Sequence, residues 1–119
     1  MPDPVSVFVS LLPFGEILVG NIVVLQASFV DLLTGTHINP TAINLTVQTP
    51  DGVQHQYTLA SNAVQKMQIP NGTQGYFSYD FSTTQPGTHY YNWTASGNVI
   101  GSAESLFSVT LSELSPPEL

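Results

Sequence analysis

Ile43-Asn44-Leu45-Thr46-Val47-Gln48 alternates apolar and polar side chains without a break, then runs into Thr49-Pro50-Asp51-Gly52. A strand sends successive side chains to opposite faces, so this segment reads as a half-buried β-strand with Ile43, Leu45 and Val47 inward. Proline presets φ and glycine accepts φ > 0, so Pro50-Asp51-Gly52 reads as the turn that ends it. The same period returns on either side. Val23, Leu25, Ala27 and Phe29 alternate with Val24, Gln26, Ser28 and Val30. His89, Tyr91, Trp93 and Ala95 alternate with Tyr90, Asn92 and Thr94, and Ser105, Phe107, Val109 and Leu111 close the set. Residues 54–59 and 64–69 are weaker runs that suit edge strands, and residues 76–81 are aromatic on both faces.

Turn chemistry separates these runs. Val19-Gly20-Asn21, Thr34-Gly35, Asn39-Pro40, Pro70-Asn71-Gly72 and Pro86-Gly87 each combine residues that favour tight reversals. No stretch of ten residues carries a 3.6-residue period, so no substantial helix is predicted. About seven strands at spacings of about 8–12 residues predict an all-β chain, an immunoglobulin-like β-sandwich. Its predicted core holds Leu25, Phe29, Leu45, Val47, Trp93 and Phe107. Trp93 and Phe107 would fill the space between the sheets that a disulfide fills elsewhere, since the chain has no cysteine. The sandwich is expected over residues 16–112, with a short tail over 113–119 whose paired prolines stop strand pairing. Residues 1–15 are either its first strand or an extended arm. Their apolar run, with Val5, Val7, Val9 and Leu11 on one face and Phe8 and Leu12 on the other, suits addition to a neighbour's sheet.

Composition narrows the function. The chain has 119 residues, which is one domain's worth, and 42% of them are hydrophobic, enough for a packed interior. Only 8% are charged, and Lys66 is the sole basic side chain against eight carboxylates, for a net charge of −7. Nucleic-acid binding is excluded on that count, because counterion release needs several cations on phosphates. Polybasic adhesion to membranes fails for the same reason, and no apolar run is long enough for a spanning helix. The opening residues lack a basic segment and a small-residue cleavage site, so no signal peptide is expected. Ser, Thr, Asn and Gln supply 39 residues. A surface kept soluble by neutral hydroxyls and amides instead of mixed charge suits a protein displayed outside cells or fixed in a larger assembly.

Chemistry-bearing residues are sparse. None of His37, His55 and His89 has a partner at metal-ligand spacing, and the carboxylates are scattered. Asp31, His37 and Asn39 could meet around a loop, but they read as ordinary turn residues. No nucleophile elbow is present. No metal, cofactor or catalytic residue is expected, and the chain is not expected to be an enzyme. The sequons at Asn44, Asn71 and Asn92 read as coincidence in a chain this rich in Asn and Thr. Aromatic exposure is the feature that points to binding: Tyr76, Tyr79, Tyr90 and Tyr91 cannot all face inward if their strands alternate. The residues expected at a partner interface are Val5, Val7, Phe8, Val9, Leu11, Leu12 and Phe14 of the N-terminal segment, with Tyr79 and Tyr90.

An ordered series of motifs carries a resemblance. It runs through Gly20-Asn21-Ile22-Val23-x-Leu25-x-Ala27-x-Phe29-x-Asp31, Gly35-x-x-x-Asn39-Pro40-Thr41 and Ile43-x-Leu45-x-Val47-x-x-Pro50-Asp51-Gly52. It continues with Gly75-Tyr76-Phe77, Pro86-Gly87-Thr88-x-x-Tyr91-x-Trp93-x-Ala95 and Glu104-x-x-Phe107-x-Val109. Over about three-quarters of its length by these motifs, the chain resembles the small immunoglobulin-like domains of tailed-bacteriophage structural proteins. Asn21 and Asn39 depart from it, standing where that family usually has Asp. The resemblance implies a virion location and no catalytic residue. Within the virion the reading expected is a capsid decoration or cement protein that binds the major capsid protein or other virion proteins, or a further copy of itself. Two alternatives remain at this point: a neck, tail or head-fibre component, or a carbohydrate-binding, adhesive module.

Overall fold

The computed structural model describes residues 3–13, 15–67 and 74–111. Among the described residues nine strands form in chain order: β1 (Asp3–Leu12), β2 (Ile17–Leu18), β3 (Ile22–Asp31), β4 (Ala42–Gln48), β5 (Gln54–Thr58), β6 (Gln65–Lys66), β7 (Tyr76–Ser82), β8 (Gly87–Ser96) and β9 (Val99–Thr110). The described residues contain no helix. Seven of these strands are substantial; β2 and β6 are two-residue ladders.

One mixed sheet runs β5-β4-β8-β9-β1-β3-β7-β6, with β2 pairing β9 off this path. It curls because the join between its halves is short. β1 pairs β9 in parallel only at Asp3↔Val99 and Pro4↔Ile100, while it pairs β3 antiparallel from Val5↔Asp31 to Leu12↔Val24. The halves therefore fold over one another like the layers of a β-sandwich. One layer is β1-β3-β7-β6 and the other is β5-β4-β8-β9-β2. Apolar side chains from both layers meet in a single core.

Period-two patterning places that core. Val23, Leu25, Ala27 and Phe29 of β3 are buried, as are Ile43, Leu45 and Val47 of β4 and His89, Tyr91, Trp93 and Ala95 of β8. Phe107 lies against them from β9. Aromatic rings bridge the layers. Phe81 of β7 meets His89 and Phe107 edge-on at centroid distances of 5.7 and 6.2 Å, and His89 stacks on Phe107 at 4.8 Å. Such offset and edge-on pairs add to what burial alone contributes.

Two glycines are required by close approach. A Cβ on Gly101 would lie 2.4 Å from the Val5 carbonyl oxygen, so only glycine lets β1 cross β9 there. Gly75, at φ +87°, sits where a Cβ would meet the carbonyls of Phe29 and Ile38 at 2.8 and 2.9 Å.

One ambiguity narrows and one boundary changes. Of the two readings open for residues 1–15, the described part, residues 3–12, pairs as a strand of this chain's own sheet. Their ladder with β3 is eight residue pairs long, and Val5 packs into the core. β9 starts at Val99, six residues before Ser105, because a reversal at Gly97 (φ +95°) joins it to β8 in a hairpin. The turn read at Pro70-Asn71-Gly72 and the tail at 113–119 lie outside the described residues.

Candidate interaction surfaces

The expected interface residues separate by face. Val5 is buried, and Val7, Val9 and Leu11 pack against the core while keeping part of their surface exposed. Leu11 also borders a cavity of about 560 Å³ with Pro13, Ile17 and Leu106. Phe8 points the other way and is 58% exposed, while Leu12 is half-buried. Phe14 lies outside the described residues.

On the outer face of the first layer, Phe8 stands opposite Ser28, and Ser28 opposite Tyr76. Phe8, Tyr76 and Met67 flank a cleft of about 330 Å³ whose floor includes Ser10, Gln26 and Ser28. Ser10 Oγ donates to Gln26 Oε1 at 3.2 Å, holding that floor. Tyr76 is fixed from the loop side: its ring stacks on His37 at 4.9 Å, and its hydroxyl lies 3.3 Å from His37 Nε2.

The tyrosines divide four ways. Tyr91 is buried and Tyr90, one residue earlier, is 53% exposed. Tyr79 turns inward at the open side of the layers and stacks on Tyr57 at 4.0 Å, bridging β7 to β5. Burial and the neighbouring Tyr57 push the Tyr79 hydroxyl up to about 12.

The outer face of the second layer is laid out by register. One row across β5, β4, β8 and β9 is Gln54, Gln48, Tyr90 and Leu106. The next is Gln56, Thr46, Asn92 and Glu104, and the third is Thr58, Asn44, Thr94 and Ser102. A cleft of about 230 Å³ crosses the first two rows, bordered by Thr46, Gln48, Gln54, Tyr90, Asn92 and Glu104. Asn44 and Asn92, both sequon asparagines, are half-buried here among strand neighbours; Asn71 lies outside the described residues.

Further apolar groups at one end escaped the sequence reading. Leu32 and Leu33 stand exposed at the tip of the β3–β4 connection, and Ile100 is exposed where β9 begins. The Leu32 amide donates to the Pro4 carbonyl at 3.1 Å, and Pro4 pairs Ile100, so these residues converge. Asp31 makes this possible: it is buried, and its Oδ1 accepts the Leu33 amide at 2.8 Å, which tightens the turn. The Asp31-Leu32-Leu33 sequence could have flagged the tip, since a strand-ending Asp followed by leucines puts them on a turn.

The polar candidates make hydrogen bonds within the fold. Asn39 Oδ1 accepts the Gly75 amide at 2.7 Å, and Asp31 Oδ1 is taken up by the turn at Leu33. Among the described residues no three His, Cys, Asp or Glu side chains gather as metal ligands would. His89 is sealed in the core with Nδ1 3.2 Å from the Gly87 carbonyl and Nε2 unpaired. Burial pulls its pKa below the ordinary histidine value, so the ring is neutral and out of a substrate's reach. Asp51 is shifted down instead, chiefly by the Thr49 hydroxyl and then by the Val53 amide, as befits the turn after β4. No protein-family model matches the chain, and no curated protein matches it.

Proposed function

We propose that the chain is an immunoglobulin-like virion structural protein of a tailed bacteriophage, acting as a capsid decoration or cement protein. Strand order supports the immunoglobulin-like part. β1-β3-β7-β6 and β5-β4-β8-β9 follow the order of the two sheets of immunoglobulin domains, with one extra edge strand on the second. Tyr91 precedes Trp93 by two residues on β8, the spacing of the tyrosine before the second bridging cysteine in such domains. The fully buried Trp93 takes the bridge's place between the layers.

The observation that carries the role is the apolar cleft framed by Phe8, Met67 and Tyr76 on an outer face of the first layer. Its mechanism is association. The cleft takes an apolar group of a major capsid subunit, and the chain's −7 charge selects a neutral or basic contact surface around it. Bridging neighbouring subunits adds buried area to a shell under internal pressure. A neck, tail or head-fibre position would use the same face on a different ring.

The test uses Phe8→Ser, which removes an exposed side chain and leaves the inner side of β1 intact. Covering the rest of Phe8 contributes about 1–2 kcal/mol at the usual area coefficient, so affinity should fall about five- to thirtyfold. The variant is mixed with undecorated shells and bound protein is measured by sedimentation. A variant that folds as wild type and still binds with undiminished affinity removes this face from the interface.

A further inference from the structure

The outer face of β5-β4-β8-β9 is independent of the apolar cleft and chemically unlike it. Three rows of four residues, with strands about 4.8 Å apart and same-face residues about 6.8 Å apart, make a patch about 14 Å on each side. Across it stand amides and hydroxyls, with Tyr90 and Leu106 as the large apolar groups and Glu104 as the one charge. We propose that this face is a binding site for a neutral polysaccharide, with Tyr90 as the stacking platform and the bordering amides as the hydroxyl readers.

Each part has a chemical reason. A sugar ring offers a face of C–H groups and a rim of hydroxyls that both donate and accept. An exposed tyrosine ring supplies an apolar plane of matching size with a polar tip. Amides supply donor and acceptor on one rigid fork, which suits adjacent hydroxyls. The amides here are already positioned. Gln54 Nε2 donates to Gln48 Oε1 at 3.2 Å, leaving the Gln48 nitrogen and the Gln54 oxygen for a ligand. Asn92 is held by Thr94 Oγ1, which donates to its Oδ1 at 2.7 Å, and by its own donation to the Ala103 carbonyl at 3.4 Å. Glu104, directly opposite Asn92, adds an acceptor for hydroxyl protons.

Charge decides among ligand classes. The face carries no cation, and the chain's single basic residue, Lys66, belongs to β6 in the other layer. Anionic glycans and nucleic acids are therefore repelled by Glu104 and the overall −7. A protein partner would need an apolar centre, since interface cores are depleted in Glu and Ser and rich in aromatic residues. Within the three rows Tyr90 and Leu106 are the large apolar groups, and the rest are amides, hydroxyls and Glu104.

The test follows side-chain amide signals by ¹H–¹⁵N NMR. The probes are maltohexaose, cellohexaose, xylohexaose and chitohexaose, with polygalacturonate as the acidic control. At least one neutral probe should move Gln48, Gln54 and Asn92 with saturable binding, and polygalacturonate should move none. Tyr90→Ala, at an exposed site, should keep the wild-type melting temperature and weaken that binding at least tenfold. Gln48→Ala should weaken it separately. The proposal is overturned if no neutral probe shifts these amides, or if both variants bind as wild type. It is also overturned if purified major capsid protein occupies Tyr90 and Gln48 in a cross-linking map.

Discussion

Deleting residues 1–12 should unfold the domain. β1 gives the core one fully buried side chain, Val5, and three half-buried ones, Val7, Val9 and Leu11. At about 1.5–3 kcal/mol for Val5 and about half that for each of the others, their burial contributes about 4–8 kcal/mol. The deletion also strips eight residue pairs from the edge of β3 and removes the parallel contact at Val99 and Ile100 that joins the layers. A domain of this size has about 5–15 kcal/mol in total, so the loss takes most or all of it. Urea titration followed by Trp93 fluorescence, with ¹H–¹⁵N dispersion as a second probe, reads the outcome directly. A truncated chain with wild-type dispersion and midpoint would refute the assignment of β1 to this chain's own sheet. It would restore residues 3–12 as an arm.

Trp93→Ala should cost about 3–5 kcal/mol, because Trp93 is fully enclosed between the layers; a loss under about 1 kcal/mol in denaturant titration would contradict that enclosure. His89 is neutral in the fold with its pKa pulled below 6.5, so below 6.5 the unfolded chain binds a proton that the folded one refuses. Stability should be complete above that value and fall as pH drops through it, and His89→Phe should flatten the difference between melting curves at about pH 7.5 and about pH 5.5. Equal pH slopes for both proteins would exclude His89 as the source. Gly75→Ala should destabilise by about 1–3 kcal/mol, since it adds a Cβ against two carbonyls at a left-handed φ; an unchanged melting temperature would show that the turn does not pass so close.

The strands were legible wherever one face is buried and the other wet. Ile43-Leu45-Val47, Val23-Leu25-Ala27-Phe29 and His89-Tyr91-Trp93-Ala95 each lie inward as their period requires, and the split of Tyr90 from Tyr91 follows from the same parity. The first half of β9 was not legible. Gly101 is small because Val5 of β1 approaches there, and with Gly101 and Ala103 on the inner side against Ile100, Ser102 and Glu104 on the outer, the burial alternates without an apolar contrast to reveal it. The reversal at Ser96-Gly97-Asn98 did carry a turn signal that could have revealed it. β1 was ambiguous for another reason. Its outward Phe8 and Leu12 blur the contrast between faces, and pairing partners are a long-range property that no local pattern encodes. The same limit hid the outer face of the second layer. Gln48, Tyr90 and Leu106 are far apart in sequence, and only the registers of β4, β8 and β9 bring them into one row.

The central claim is that this chain is a structural part of a phage particle, bound to its shell. The most direct measurement is a cryo-EM reconstruction of purified virions, with mass spectrometry of the same preparation to count copies. The account predicts density for the two-layered domain on the outer surface of the capsid, with the Phe8–Met67–Tyr76 cleft against a major capsid subunit and a copy number that follows the shell's symmetry. Absence of the chain from purified particles, or density only inside the shell, would contradict it.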